Sequence, residues 1–253
     1  VPEVLATLRH EFFTPLTVIK GYTATLLSQR HRLTPAEQEE FLQMIQHAER
    51  RLETLAEELL EIAQLEAGII RLEHTLVDIC ALAREAITQV EVQVPEPLRG
   101  QFTFALRCRD ALGDPMPEPT LIKGDVQRLQ QLLQHLLENA VQYSPTGGKI
   151  DVIVQPAPHA GSAEGLGHAA DGSFLEICVC DVGLGIPEGD LGRIFAPFYR
   201  VDTGLTRERY GLGLGLTACK HLVSLHQGRL WAETCPEGGS AFHVWLPLVN
   251  ADA

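Results

Sequence analysis

From Phe41 to Ile62 the apolar residues Phe41, Ile45, Ala48, Leu52, Leu55, Leu59 and Ile62 alternate spacings of four and three without a slip. A helix turns once in ~3.6 residues, so this alternation draws one unbroken apolar stripe, the seam of a coiled coil. Thr34-Pro35-Ala36-Glu37 supplies its start, with an N-cap, a proline at the first helical position and a glutamate placed to close a capping box. Gly68 offers the stop. Upstream, Leu5, Leu8, Phe12, Leu16, Ile19 and Leu26 follow one another at spacings of three, four or seven and describe one face of a long helix over residues 1–30. Two antiparallel helices cannot bury such a seam alone, and a homodimeric four-helix bundle is the economical solution. Nine glutamates against two arginines over residues 35–66 read as its solvated face.

Past Gly68 the periodicity changes to mixed α and β. A short apolar stretch at 72–77 precedes a helix capped by Asp78 and a strand around Gln101–Leu106. Gly124-Asp125 caps a helix reaching about Tyr143, and Ser144 to Gly148 turns the chain into a strand over Lys149–Gln155. Residues 156–172, rich in Gly, Ala and Pro, read as a surface loop. Then come a strand over Phe174–Cys180, a glycine-rich region to 215, a helix to about Leu225, and strands near 228–233 and 241–246. Helices layered on one face of a mixed sheet fit this order.

With 253 residues there is room for two domains. The net charge of -13 excludes a nucleic-acid groove or an anionic membrane surface as the partner, because like charges repel. No run of 18 or more uncharged apolar residues and no signal-peptide pattern occurs, so this region is expected to be cytoplasmic and to make no direct membrane contact. The chain begins at Val1 inside a helical pattern, and a preceding N-terminal part, through which a longer protein could attach to a membrane, is expected. The six cysteines show no ligand-spaced clusters and read as reduced thiols. Cys178 and Cys180 share one strand face, which leaves a redox or metal role open beside plain core packing.

Four runs concentrate chemistry. In His10-Glu11-Phe12-Phe13-Thr14-Pro15 the imidazole faces water when Phe12 faces the core, and Thr14 shares its face. Pro15 fits either a later helix start after Thr14 or one helix bent at the proline; the stripe continuing upstream through Phe12, Leu8 and Leu5 favours the bent helix. His135, Asn139 and Gln142 form a polar stripe on an otherwise apolar helix that ends near Tyr143. Asp181-Val182-Gly183-Leu184-Gly185-Ile186-Pro187 follows a strand directly, where a carboxylate can meet an amine and glycines admit a flat ring. Gly211-Leu212-Gly213-Leu214-Gly215-Leu216 opens a helix whose free amides suit phosphate oxygens. Its spacing fits neither a dinucleotide-binding turn nor a Walker-type loop.

Taken in order, these runs resemble the sensor histidine kinases. The first is similar to their phosphoacceptor box, the second to the N box, and Ile194-Phe195-Ala196-Pro197-Phe198-Tyr199-Arg200 to the F box, followed by a polar lid. Glu237 to Phe242 is similar to the last glycine motif, and also reads as a hairpin turn. The resemblance covers more than nine-tenths of the chain. It implies an α+β, two-domain protein: a dimerisation and phosphotransfer hairpin over 1–68, then a Bergerat (GHKL) ATP-binding α/β sandwich over 73–250, the fold of type II topoisomerases and the Hsp90 chaperones. It implies transfer of the ATP γ-phosphoryl group to His10 and onward to an aspartate of a response-regulator receiver domain, with phosphatase action on that partner.

By the same resemblance Glu11 orients the His10 ring and Thr14 positions water. Asn139 ligates Mg²⁺. Asn139, Tyr143, Asp181, Gly183, Gly185, Ile186, Phe195, Gly211, Gly213, Leu214 and Gly215 hold ATP. Phe13, His135 and Gln142 stand where the family usually has a basic residue, an asparagine and a lysine. Two other readings fit parts of the pattern, an ATPase clamp without phosphohistidine and a catalytically weak nucleotide-binding dimeric scaffold.

Overall fold

The computed structural model describes residues 2–29, 31–94, 96–110, 112–116, 119–157, 174–201, 212–235 and 238–248. The loop expected over 156–172, the lid after Arg200 and Gly211 lie wholly or almost wholly outside them.

Helix α1, Pro2–Gln29, continues through Pro15 as one helix, the alternative the stripe favoured over a later start. Helix α2, Pro35–Glu66, starts with both halves of the capping box formed: the Glu37 amide donates to Thr34 Oγ1 at 3.3 Å and the Thr34 amide to Glu37 Oε2 at 2.7 Å. The two helices pack as an antiparallel hairpin. On α2 the seam is the buried side, with Ala48, Leu55 and Ile62 fully covered. On α1 the outcome is mixed. Leu8, Phe12, Ile19 and Leu26 are partly buried, whereas Leu5 and Leu16, which the spacing placed on the same stripe, are exposed. Their positions lie toward the flank of the stripe, which Glu11 and Pro15 occupy more deeply.

Past the hairpin come β1 (Thr75–Asp78), α3 (Ile79–Gln93), α4 (Glu96–Arg99), β2 (Phe102–Cys108), β3 (Leu121–Gly124), α5 (Val126–Gln142), β4 (Gly148–Pro156), β5 (Phe174–Cys180), α6 (Gly215–Leu225), β6 (Arg229–Thr234) and β7 (Ser240–Pro247). Strands β2-β4-β5-β7-β6 form one mixed sheet, parallel only between β2 and β4. Helices α3, α5 and α6 pack side by side against one face, the layering the element order implied. Strands β1 and β3 make a separate two-stranded antiparallel sheet.

The core lies between α5 and the sheet. Leu129, Leu132, Leu133, Leu136, Leu137 and Ala140 recur at helical spacing on α5 and are buried to within 1%. They meet alternate residues of three strands, including Val152, Val179 and Phe242, which stand in register across β4, β5 and β7. Removing one such leucine side chain costs ~2–5 kcal/mol, so α5 is fixed against the sheet and its opposite face is fixed with it. Leu55, Ile62 and Leu65 of α2 continue this same apolar cluster, and α2 lies against α6.

The junction is held by Asp125. Its carboxylate accepts from the Arg128 amide at 3.2 Å as N-cap of α5 and from the Glu73 amide at 2.9 Å. Its own amide donates to His226 Nε2 at 3.1 Å. One residue thus ties the connecting segment, α5 and the end of α6 together.

Candidate nucleotide and phosphoacceptor site

The face of α5 turned away from the sheet carries the polar stripe. His135, Glu138, Asn139 and Gln142, with Tyr143 just past the helix, line a cavity of about 290 Å³. Its other walls are Leu212 to Leu216 and the run Ile194, Tyr199 and Arg200. The remaining wall is the hairpin itself, through Arg51, Thr54 and Glu58 of α2. A smaller, more apolar hollow adjoins it, sharing Asn139, Tyr143 and Ile194 and adding Leu184, Gly185, Ile186, Ser240 and Phe242.

Asp181, directly after β5, sits behind this hollow and is almost fully buried. Its Oδ1 accepts from the amides of Gly183 at 2.8 Å and Ser240 at 3.2 Å, and its Oδ2 accepts from the Ser240 hydroxyl at 2.5 Å. Burial raises its pKa; the donors on Ser240 and Gly183 pull it back, and the net stays above the ordinary carboxylate value. Gly183 is required by contact rather than by torsion, since a Cβ there would lie 2.2 Å from the Tyr143 carbonyl oxygen. That carbonyl accepts from the Leu184 amide at 3.0 Å, pinning the glycine loop to the end of α5.

Gly213 adopts φ +70° with the space for a Cβ taken by the Tyr199 carbonyl. It leads through buried Leu214 into Gly215, the first residue of α6, which faces His135 across the cavity. The amides opening α6 therefore border a cavity, the setting in which a helix N-terminus favours an anion.

Phe195 departs from its expected place. It is buried in the core, edge-on to Phe242 at 6.5 Å between ring centres, and Ile194 lines the cavity instead. His135 also has a partner the sequence did not reveal, Glu61 of α2, with Nε2 to Oε2 at 3.8 Å. Burial opposes charge on this imidazole, but Glu61, Glu138 and Glu58 outweigh it and hold its pKa above the usual histidine value. Burial in turn raises the carboxyl pKa of both Glu58 and Glu138.

On α1, His10 is exposed and its carbonyl accepts from the exposed Thr14 hydroxyl at 2.8 Å. Glu11 is buried and turned toward arginines: Oε2 lies 3.0 Å from Arg51 of α2 and Oε1 lies 3.7 Å from Arg200. The helix that carries His10 is therefore joined to the cavity through two cations that line it. Phe13, next to this cluster in sequence, is exposed. Arg51, Glu58, Glu61, Arg200 and Ser240 were not singled out from sequence. For Arg51 a signal existed, since it is one of only two arginines in the strongly acidic run of α2.

The described residues contain no group of three or more His, Cys, Asp or Glu arranged to hold a metal ion. Among them no helix is long and apolar enough to cross a membrane.

Two family models match the chain. Residues 3–68 match the His Kinase A (phospho-acceptor) domain, and residues 124–250 match the histidine kinase-, DNA gyrase B- and HSP90-like ATPase. Among similar proteins is the sensory/regulatory protein RpfC of Xanthomonas campestris, 35% identical over 96% of this chain and 31% of its own length. Another is the circadian input-output histidine kinase CikA of Synechococcus elongatus, 30% identical over 97% of this chain and 30% of its own. The chain thus spans about a third of the length of these relatives. Among solved structures, full-length ShkA in complex with AMPPNP is 27% identical with a TM-score of 0.63, over 100% of this chain and 47% of that one. The fold also matches histidine kinase ThkA in complex with the response regulator TrrA, at a TM-score of 0.68 over 99% of this chain and 63% of that one. The chain belongs to the sensor histidine kinases, with a phosphoacceptor hairpin followed by an ATP-binding domain of the gyrase and HSP90 type.

Proposed function

We propose that the chain is an ATP-dependent autokinase that phosphorylates His10 and passes the phosphoryl group to an aspartate of a response-regulator receiver domain. Residues 1–68 would act as the dimerisation and phosphotransfer unit and residues 73–250 as the catalytic unit. The observation that carries the reading is the shared cavity, where Asn139, Tyr143, the two glycine runs and Arg200 meet, with Arg200 reaching Glu11 beside His10.

In this reading the smaller hollow takes adenine, with Ser240 in its wall, Asp181 behind Ser240 and Ile186 against the ring. The larger cavity takes the phosphates, facing the first turn of α6 and the guanidinium groups of Arg51 and Arg200. These cations stand in for the lysine replaced by Gln142. Asn139 offers an amide oxygen to Mg²⁺, a hard cation that needs few protein ligands because phosphate and water supply the others. Bound there, the ion would neutralise charge on the phosphates. The chain's own contribution is positioning: it holds the γ-phosphoryl group in line with an imidazole nitrogen and excludes water. His10 suits the acceptor role because a neutral ring offers one nucleophilic nitrogen while the other keeps its proton. Glu11 would meet that ring only after leaving at least one of its arginines.

The hairpin leaves Leu5, Phe13, Leu16, Leu42, Met44 and Leu60 exposed. A second copy covering them would complete a four-helix bundle. Thr14, one helical turn from His10 and exposed, would position water for dephosphorylating the regulator.

Incubation with γ-labelled ATP and Mg²⁺ tests the activity. The expected product is chain-bound label that is stable to base and lost in acid. A wild-type chain that takes up no label, or only acid-stable label, contradicts the proposal.

A further inference from the structure

The face of the sheet opposite the helices carries a group that phosphoryl transfer does not use. Because side chains alternate along β5, Glu176, Cys178 and Cys180 point to this face while Ile177 and Val179 enter the core. Their neighbours across β7 are Trp245, His243 and Ala241. Cys178 Sγ lies 3.2 Å from Cys180 Sγ and 3.8 Å from His243 Nε2. His243 Nδ1 is held by Glu176 Oε1 at 3.0 Å, and its ring is stacked on Trp231 at 4.9 Å between centres. Thiol, imidazole and carboxylate thus stand in a row, with a second thiol in contact with the first.

We propose that Cys178 and Cys180 form an oxidisable dithiol, converted by hydrogen peroxide to a disulfide that weakens nucleotide binding at Asp181.

Three features support the site. The imidazole lies beside both a thiol and a carboxylate: burial opposes its charge, but the Glu176 carboxylate holds its pKa above the usual value. The two thiols are in hydrogen-bond contact, so a proton on one stabilises a thiolate on the other, and burial disfavours the charge more at the deeper Cys178. Cys180 is assigned the attacking role because it is the less buried of the pair. It lies opposite the small Ala241, whereas Cys178 is buried under His243.

The chemistry balances. The Cys180 thiolate attacks one peroxide oxygen, forming S–O as O–O breaks, and hydroxide leaves and takes up a proton as water. The Cys178 sulfur then attacks the Cys180 sulfur, forming S–S as S–O breaks, and its proton leaves with the departing hydroxide as a second water. Two electrons pass from the sulfurs to the peroxide. The sulfurs must close from contact to bond length, and β5 can yield at its last residue, Cys180. The next residue is Asp181, so the movement is transmitted to the carboxylate assigned to adenine. That consequence rests on the ATP reading; the disulfide itself does not.

The test uses the whole reduced chain, treated with hydrogen peroxide, blocked with an alkylating agent and digested for mass mapping. The result expected is one peptide two hydrogens lighter, with Cys178 and Cys180 both protected, reversed by dithiothreitol and absent from Cys178→Ser and Cys178→Ala. Affinity for a non-hydrolysable ATP analogue should fall by about ten-fold on oxidation of the wild type. Both thiols remaining open to alkylation, or a bridge formed to Cys235 instead, would overturn the site. A bridge with unchanged analogue affinity would overturn its coupling to Asp181. A chain that bridges but never binds the analogue, reduced or oxidised, would overturn the ATP reading and leave the dithiol standing.

Discussion

The carboxylate of Glu11 lies 3.7 Å from the guanidinium of Arg200, across 189 residues of sequence and between the helix that carries His10 and the rim of the cavity at α5 and α6. The same carboxylate meets Arg51 at 3.0 Å. A buried carboxylate shared by two cations from different elements joins hairpin and catalytic unit more specifically than apolar contact can. It also means that the group best placed to assist His10 is held elsewhere in this arrangement.

Glu11→Gln keeps the shape and removes the charge. It should lower the rate of label incorporation by roughly a hundred-fold or more, the scale of a lost general base. Binding of a non-hydrolysable ATP analogue should be kept or tightened, since the substitution leaves the cavity lining intact and frees the Arg51 and Arg200 charges that Glu11 neutralises. Quench-flow labelling and calorimetry on the same preparation separate the two.

Asp181→Asn should weaken the ATP analogue by about 10- to 100-fold, the cost of mispairing one buried polar group. The fold should survive, because an amide oxygen can still accept from the Gly183 and Ser240 amides. Calorimetry gives the affinity and thermal unfolding checks the fold.

Gly183→Ala forces a methyl to within 2.2 Å of the Tyr143 carbonyl and should displace the loop from α5. A loss of about 1–3 kcal/mol in stability is expected, with weaker nucleotide binding alongside. Urea titration measures it.

Much of this was legible in the sequence where the signal is local and repeated. The alternating seam from Phe41 to Ile62 gave α2, and the caps Thr34, Asp78 and Asp125 all function as caps. The strip β1 with β3 was not foreseen as a sheet, because four-residue strands carry too little alternation to recognise. The cavity residues His135, Asn139 and Gln142 fell together because one helix face sets their positions. Glu11 did not follow its sequence neighbour. Adjacent helical residues point ~100° apart, and which arginine waits there is decided by packing of distant segments. Phe195 and Ile194 show the same limit, since outside regular structure sequence order does not tell which of two apolar neighbours enters the core.

The pH dependence of stability has a sign that one residue isolates. His226 is buried, accepting from the Asp125 amide at Nε2 with Leu222 O 2.8 Å from Nδ1, and burial lowers its pKa. Its contribution is complete above the unfolded value of about 6.5 and is lost as pH falls toward the lower folded value. His135 and His243, both raised, act in the opposite sense, contributing fully below about 6.5 and losing that contribution as pH rises. The difference in unfolding free energy between wild type and His226→Gln should therefore shrink from about pH 7 to about pH 5. Urea titrations across that range measure it, and a difference independent of pH would remove His226 from the account.

The most direct measurement compares the wild-type chain with His10→Gln after incubation with γ-labelled ATP and Mg²⁺, with analogue affinity determined for both. His10 is exposed and is not among the residues that line the cavity, so the substitution should leave nucleotide affinity unchanged and abolish the acid-labile label entirely. Acid-labile label persisting on His10→Gln at the wild-type level would contradict the assignment of His10 as the acceptor.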